Sequence, residues 1–138
     1  MEAHQSPTTA VHRALDRFWT RTEHIAPVRP DLQWQAEFAT AVGEVTANIV
    51  RHALGSGHAS ETFEVLFLLF PDRAEARFAD PGVAYTPSPV PPASADDDLF
   101  ELREGGWGLG LARAAVDELR YHRLDGRINQ WLIEKKLP

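Results

Sequence analysis

The chain has 138 residues, 14 Lys plus Arg against 20 Asp plus Glu, and a formal net charge of -6. The length suits one domain that buries about two thirds of its unfolded surface, and the acidic balance argues against a chain that grips nucleic acid phosphates while leaving small anions open. No apolar run approaches the roughly 20 residues of a membrane-spanning helix, cysteine is absent, and the only lysines are Lys135 and Lys136. Disulfides, a thiolate nucleophile and Cys-ligated zinc are thereby excluded, as are the nucleotide sites built on a P-loop lysine or a protein-kinase strand lysine. Basic chemistry falls to twelve arginines.

Residues Met1 to Ala10 are polar, lack the basic stretch and apolar core of a secretory signal, and are expected to fray. A cytoplasmic protein is expected. Val11, Leu15, Phe18, Trp19 and Ile25 recur at helical spacing and predict a first helix over 11–25, stopped by Pro27 and Pro30. Asp31 is a plausible N-cap for a second helix reaching Leu54, with Trp34, Phe38, Val42, Val45, Ile49 and Ala53 as its apolar stripe. On a different side Glu44, Asn48 and Arg51 fall within about 60° of one another.

Thr62 to Phe70 reads as a buried strand, and Pro71-Asp72 turns the chain. Arg73, Glu75 and Arg77 then alternate with Ala74, Ala76 and Phe78, which predicts a half-exposed strand paired with its predecessor. From Thr86 to Glu104 the chain is rich in proline, small residues and acid, and no regular element is expected over most of it. Glycines at 105, 106, 108 and 110 lead into a short helix over 111–118. Two final strands, 119–124 and 128–137, are joined at Asp125-Gly126, a hairpin signal. The order predicts an α/β two-layer sandwich with helices on one face of a mostly antiparallel sheet.

Three segments carry chemistry, and each alone also has an ordinary structural reading. Glu44 and Asn48, one helical turn apart, can bring a carboxylate and a carboxamide oxygen to one small target, or can simply be a solvated helix face. Asp80-Pro81-Gly82 ends a strand with an acceptor followed by a glycine that lets backbone approach a flat ligand, or is merely a turn. Gly106, Gly108 and Gly110 precede a helix, where backbone N–H groups and the helix dipole favour phosphate, or form a hinge.

In order and spacing, FATAVGEVTANIVRHA, ARFADPGVAYTP and GGWGLGLARAAVDEL resemble the N, G1 and G2 boxes of the GHKL ATPase superfamily. They are most similar to those of the RsbW-like anti-sigma factor serine/threonine kinases, as is the tail VDELRYHRLDGRINQWLIEKKL. The resemblance implies the Bergerat fold, with residues 11–138 as a single ATP-binding domain and 86–104 as its ATP lid. It implies that Asn48 binds Mg2+, that Glu44 is the general base, and that Asp80 takes the adenine exocyclic amine with Gly82 allowing close approach. Gly106, Gly108 and Gly110 would wrap the phosphates, and Asn129 would stand near the adenine pocket.

The implied activity is transfer of a phosphoryl group from ATP to a serine or threonine of a small STAS-type antagonist protein. The implied partners are that antagonist, a sigma factor that the kinase sequesters, and a second copy of the chain. A nucleotide-gated binding module that transfers no phosphate is the alternative. Arg51, His52 and Arg103 are further candidates to face the γ-phosphate. The six histidines show no zinc-site spacing, and Asp96-Asp97-Asp98 reads as a solvated acidic run. Trp19, Trp34 and Trp131 are expected in the core, and Trp107 near the ligand or a partner.

Overall fold

The computed structural model describes residues 6–25, 29–53, 62–84 and 107–138. Helix α1 spans Pro7–Thr22. It begins four residues before the expected start, because Ser6 accepts a hydrogen bond from the Thr9 amide at 3.1 Å and Pro7 occupies the first turn, where its missing N–H costs nothing. Residues 7–10, expected to fray, are thus the opening turn. Val11, Leu15, Trp19 and Thr22 are its buried positions, and the Thr22 hydroxyl is satisfied by the Phe18 carbonyl at 2.9 Å.

Helix α2 spans Leu32–Asn48 and is capped as the sequence predicts, the Asp31 carboxylate accepting from the Trp34 amide at 2.8 Å. It carries Trp34, Phe38, Ala41, Val42 and Val45 into the core, with Phe38 fully buried. Trp34 stacks on Phe38 at a centroid distance of 5.4 Å and meets Trp19 edge-on at 5.6 Å, which fastens α1 to α2. Beyond Asn48 the regular α-helix gives way to a π-helical turn over Ile49–Ala53, and Leu54, the expected end of the helix, lies outside the described residues. Such widened turns interrupt the regular ladder and recur at functional positions.

Strands β1 (Glu64–Leu69), β2 (Arg73–Asp80), β3 (Glu118–Leu124) and β4 (Ile128–Lys136) form one sheet in the order β1-β2-β4-β3, every neighbouring pair antiparallel. The register fixes two faces. Inward point Val65, Phe67 and Leu69, then Ala74, Ala76, Phe78 and Asp80, then Asn129, Trp131, Ile133 and Lys135, then Leu119, Tyr121 and Arg123. The apolar members of that set join the helices in a single core that includes Trp19, Trp34 and Trp131, as expected of them. Helix α3, Trp107–Ala115, completes the helical layer by packing against α2. The result is the α/β two-layer sandwich.

Three local expectations are corrected. Strand β1 stands at the sheet edge, and Leu66 is 55% exposed rather than buried. Helix α3 runs over Trp107–Ala115 rather than 111–118, because burial of Leu109 and Ala112 outweighs the poor helix propensity of Gly108 and Gly110. On the outer face Glu75 is buried at 3% exposure, covered by Arg73 and Arg77, whose guanidinium groups donate to it at 2.8 and 2.8 Å. No helix among the described residues is long and apolar enough to cross a membrane.

Candidate functional site

The clearest polar cluster lies where the inner face of the sheet meets the segment after β2. Asp80 ends β2 at 1% exposure, and its Cα partner across β4 is Asn129, also 1% exposed. Asp80 Oδ1 accepts from the Gly82 amide at 2.9 Å and from Asn129 Nδ2 at 2.9 Å. Asp80 Oδ2 is buried and has no hydrogen-bond partner among the described residues. A carboxylate oxygen accepts, so the one left over calls for an N–H or O–H that the described residues do not supply.

Asn129 is itself held on both ends. Its Nδ2 also donates to the Val83 carbonyl at 2.7 Å, while its Oδ1 accepts from Arg123 Nη1 at 2.8 Å and from the Tyr121 hydroxyl. Arg123 donates further to the Gly82 carbonyl at 3.0 Å and to the Gly126 carbonyl at 2.9 Å. The hairpin that places Arg123 beside Asn129 turns as the sequence predicts, with Asp125 at φ 52° and Gly126 at φ 66°, a conformation natural to Asn, Asp and Gly.

The second part of the site stands on the helices. Asn48, at 2% exposure, presents a second buried acceptor, Oδ1, without a partner among the described residues. It is therefore not part of a solvated helix face. Glu44 is half-buried one turn earlier, and Arg51 is exposed one turn later on the π-helical segment. Gly108 and Gly110 lie inside the first turn of α3, whose leading amides have no i-4 carbonyl within the helix. Packing of α2 against α3 brings the helix bearing Glu44 and Asn48 alongside the helix that bears Gly108 and Gly110. The far end of α3 is held by Lys135, whose Nζ donates to the Ala115 carbonyl at 2.8 Å.

The sequence-predicted residues thus fall into two groups. The structure joins Asp80, Gly82 and Asn129 in one network, and it places Glu44 and Asn48 on α2 beside α3; among the described residues no hydrogen bond links the groups. Gly106, Arg103 and residues 86–104 lie outside the described residues, as do the side chains of His52 and Trp107. Tyr121 and Arg123 were not anticipated. Their signal was the period of two from Leu119, which puts an aromatic hydroxyl and a cation on the inward face across the 125–127 turn from Asn129. A shallow depression of about 800 Å³ on the outer face, lined by Leu66, Arg77, Arg120, His122 and Gln130 among others, includes none of the candidate residues.

A helical layer on one face of a four-stranded antiparallel sheet is the architecture of a histidine kinase-like ATPase domain. The chain belongs to the histidine kinase-like ATPase domain family, which matches residues 4–133. It is 29% identical over 90 residues to the serine-protein kinase RsbW of Staphylococcus aureus (strain JH9) and 30% identical to that of Staphylococcus epidermidis. Each match covers 62% of this chain and 57% of the relative. The matched part therefore spans little more than half the length of those kinases. The histidine kinase domain of the Erythrobacter litoralis EL346 blue-light activated histidine kinase shares the fold, with a TM-score of 0.58, 18% identity and coverage of 99% of this chain and 66% of that one.

Proposed function

We propose that the protein is an ATP-dependent serine/threonine kinase that phosphorylates an antagonist protein of STAS type and sequesters a sigma factor. The observation that carries this reading is the pair of buried acceptors without a partner among the described residues, Asp80 Oδ2 on the sheet and Asn48 Oδ1 on α2. Native proteins keep few such atoms, and each asks for a ligand or another explanation. The first suits the exocyclic amine of adenine, and the second suits a hard cation such as Mg2+, which takes oxygen ligands. The kinase relatives give the reaction its class.

On this reading Asp80 accepts from the base, Gly82 lets the base approach, and Asn129 stands beside both. Asn48 holds Mg2+, which when bound neutralises charge on the triphosphate. The leading amides of α3, with Gly106, Gly108 and Gly110, donate to phosphate oxygens and orient them. Glu44 accepts the proton of the attacking hydroxyl. The chain's own contribution is positioning and charge placement rather than covalent chemistry.

Calorimetry with Mg-ATP on the wild type, Asn48→Ala and Asp80→Ala tests the site. Binding by the wild type that both substitutions abolish supports it, and no binding by the wild type overturns it. Incubation with γ-labelled ATP and a panel of STAS-domain proteins tests the reaction: label transfer that Glu44→Ala abolishes while ATP still binds supports a kinase. Binding without transfer to any of them favours a nucleotide-gated binding module.

A further inference from the structure

We infer that Arg123 is the positioning residue of base recognition: by fixing the Asn129 carboxamide in one orientation it leaves Asp80 Oδ2 as the acceptor that meets the base. The inference rests on the nucleotide-binding reading above and adds to it the residue that sets preference between purines.

A carboxamide has chemically opposite ends of nearly equal size, so without outside constraint it flips at little steric cost. Here both ends are constrained. Oδ1 takes donors from Arg123 Nη1 at 2.8 Å and from the Tyr121 hydroxyl, and Nδ2 gives its hydrogens to Asp80 Oδ1 at 2.9 Å and the Val83 carbonyl at 2.7 Å. A flip would face Oδ1 with a carboxylate and a carbonyl, and Nδ2 with a guanidinium, turning those three contacts repulsive; the Tyr121 hydroxyl can turn to accept and so does not choose between the orientations. Of the two donors to Oδ1, Arg123 carries the charge, and hydrogen bonds from charged donors are about twice as strong as neutral ones.

Arg123 is also anchored independently of Asn129. Its other bonds go to the carbonyls of Gly82 and Gly126, at 3.0 and 2.9 Å, so all its described acceptors are neutral oxygens and none is a carboxylate. One bond reaches the hairpin between β3 and β4, and another reaches the segment after β2 that carries the backbone beside the base. A single guanidinium therefore fixes the position of Gly82 relative to β4 and the direction of the Asn129 amide.

The consequence for selectivity follows from donor and acceptor arithmetic. With Asp80 Oδ1 occupied by Gly82 and Asn129, the oxygen that remains accepts only. A purine with an amine at position 6 satisfies it, whereas a 6-oxopurine brings a second acceptor against it. Once the Asn129 amide is free to turn, its N–H groups can serve a base carbonyl, and the discrimination shrinks.

The test is calorimetry with ATP and GTP on the wild type, Arg123→Ala, Arg123→Lys, Asn129→Ala and the Arg123→Ala/Asn129→Ala pair, each first shown to melt cooperatively. Arg123→Ala is expected to weaken ATP about tenfold and to narrow the ATP-to-GTP ratio about tenfold, the size of one charged hydrogen bond. Arg123→Lys should recover part of both, and in the Asn129→Ala background the Arg123 substitution should leave the ratio unchanged. A ligand-free readout accompanies these: hydrogen exchange of the Asn129 side-chain amide by NMR, slow in the wild type and faster in Arg123→Ala. An unchanged ratio with unchanged exchange overturns the inference, as does an equal loss of ratio in the Asn129→Ala background. A wild type that binds neither nucleotide overturns the functional reading, and the exchange measurement then decides the lock by itself.

Discussion

Asp80 and Asn129 stand opposite one another across β2 and β4, and the Asn129 amide donates to the Asp80 carboxylate at 2.9 Å. Replacing the amide by an acid tests how much that donor matters. Asn129→Asp faces two carboxylates across the ladder and removes the donor to Val83. A loss of about 2 kcal/mol at pH 7 is expected, in the range for a buried unsatisfied acceptor. Urea unfolding at pH 7 checks it; no loss would show that Arg123 neutralises the added charge.

Asn48 predicts the opposite sign for stability. Its buried Oδ1 lacks a partner among the described residues, so Asn48→Ala removes an unsatisfied acceptor and improves helix propensity. The ligand-free protein is expected to melt about 3 °C higher, while the melting shift produced by Mg-ATP disappears. Differential scanning calorimetry with and without nucleotide reads both. A lower melting temperature would mean that Asn48 has an unseen structural partner.

Glu75 sets a pH dependence on the outer face. Burial pushes its carboxyl up, but hydrogen bonds from Arg73 and Arg77 outweigh burial and hold it below its ordinary value of 4.5. A depressed carboxyl adds stability that is fully present above 4.5 and is lost as the pH falls through the folded value. Glu75→Gln should therefore be less stable than the wild type at pH 7, and the two unfolding midpoints should converge as the pH drops below 4.5. Midpoints that stay a constant distance apart would remove the ionic contribution.

Lys135 is 12% exposed and donates to the last carbonyl of α3 while lying 3.6 Å from Glu37. Lys135→Met removes the ammonium that lies 5.6 Å from the Trp34 ring centroid and is the cation at the helix end. The expected cost is about 1–2 kcal/mol, with faster hydrogen exchange concentrated in α3. Uniform exchange across the chain would argue against a local cap.

Much of this was legible in the residues because local rules and tertiary packing agree there. Asp31 caps α2, Asp125-Gly126 turns the last hairpin, and the period of two in β2 assigns Ala74, Ala76 and Phe78 to the core. Where they conflict, packing won. Ser6-Pro7 is a helix start hidden by the polar residues that follow, and Gly108 and Gly110 argue locally against the helix that burial of Leu109 and Ala112 imposes. Glu75 reads as solvent-facing until two arginines close over it. The Arg123 and Tyr121 bonds to Asn129 depend on which strand lies beside which, and that pairing has no local signature.

The division of the site between two layers has a mechanical consequence. Asp80 and Asn129 belong to the sheet, Glu44 and Asn48 to a helix laid upon it, and on the proposed function a nucleotide held at both ends would be a strut across the sandwich. Strand pairing that slipped by one residue would turn Asp80 or Asn129 to the outer face and leave the strut with one footing. Occupancy thus reports on correct assembly, and a chain that has paired its strands wrongly forfeits the stabilisation that a bound molecule confers only on the native state.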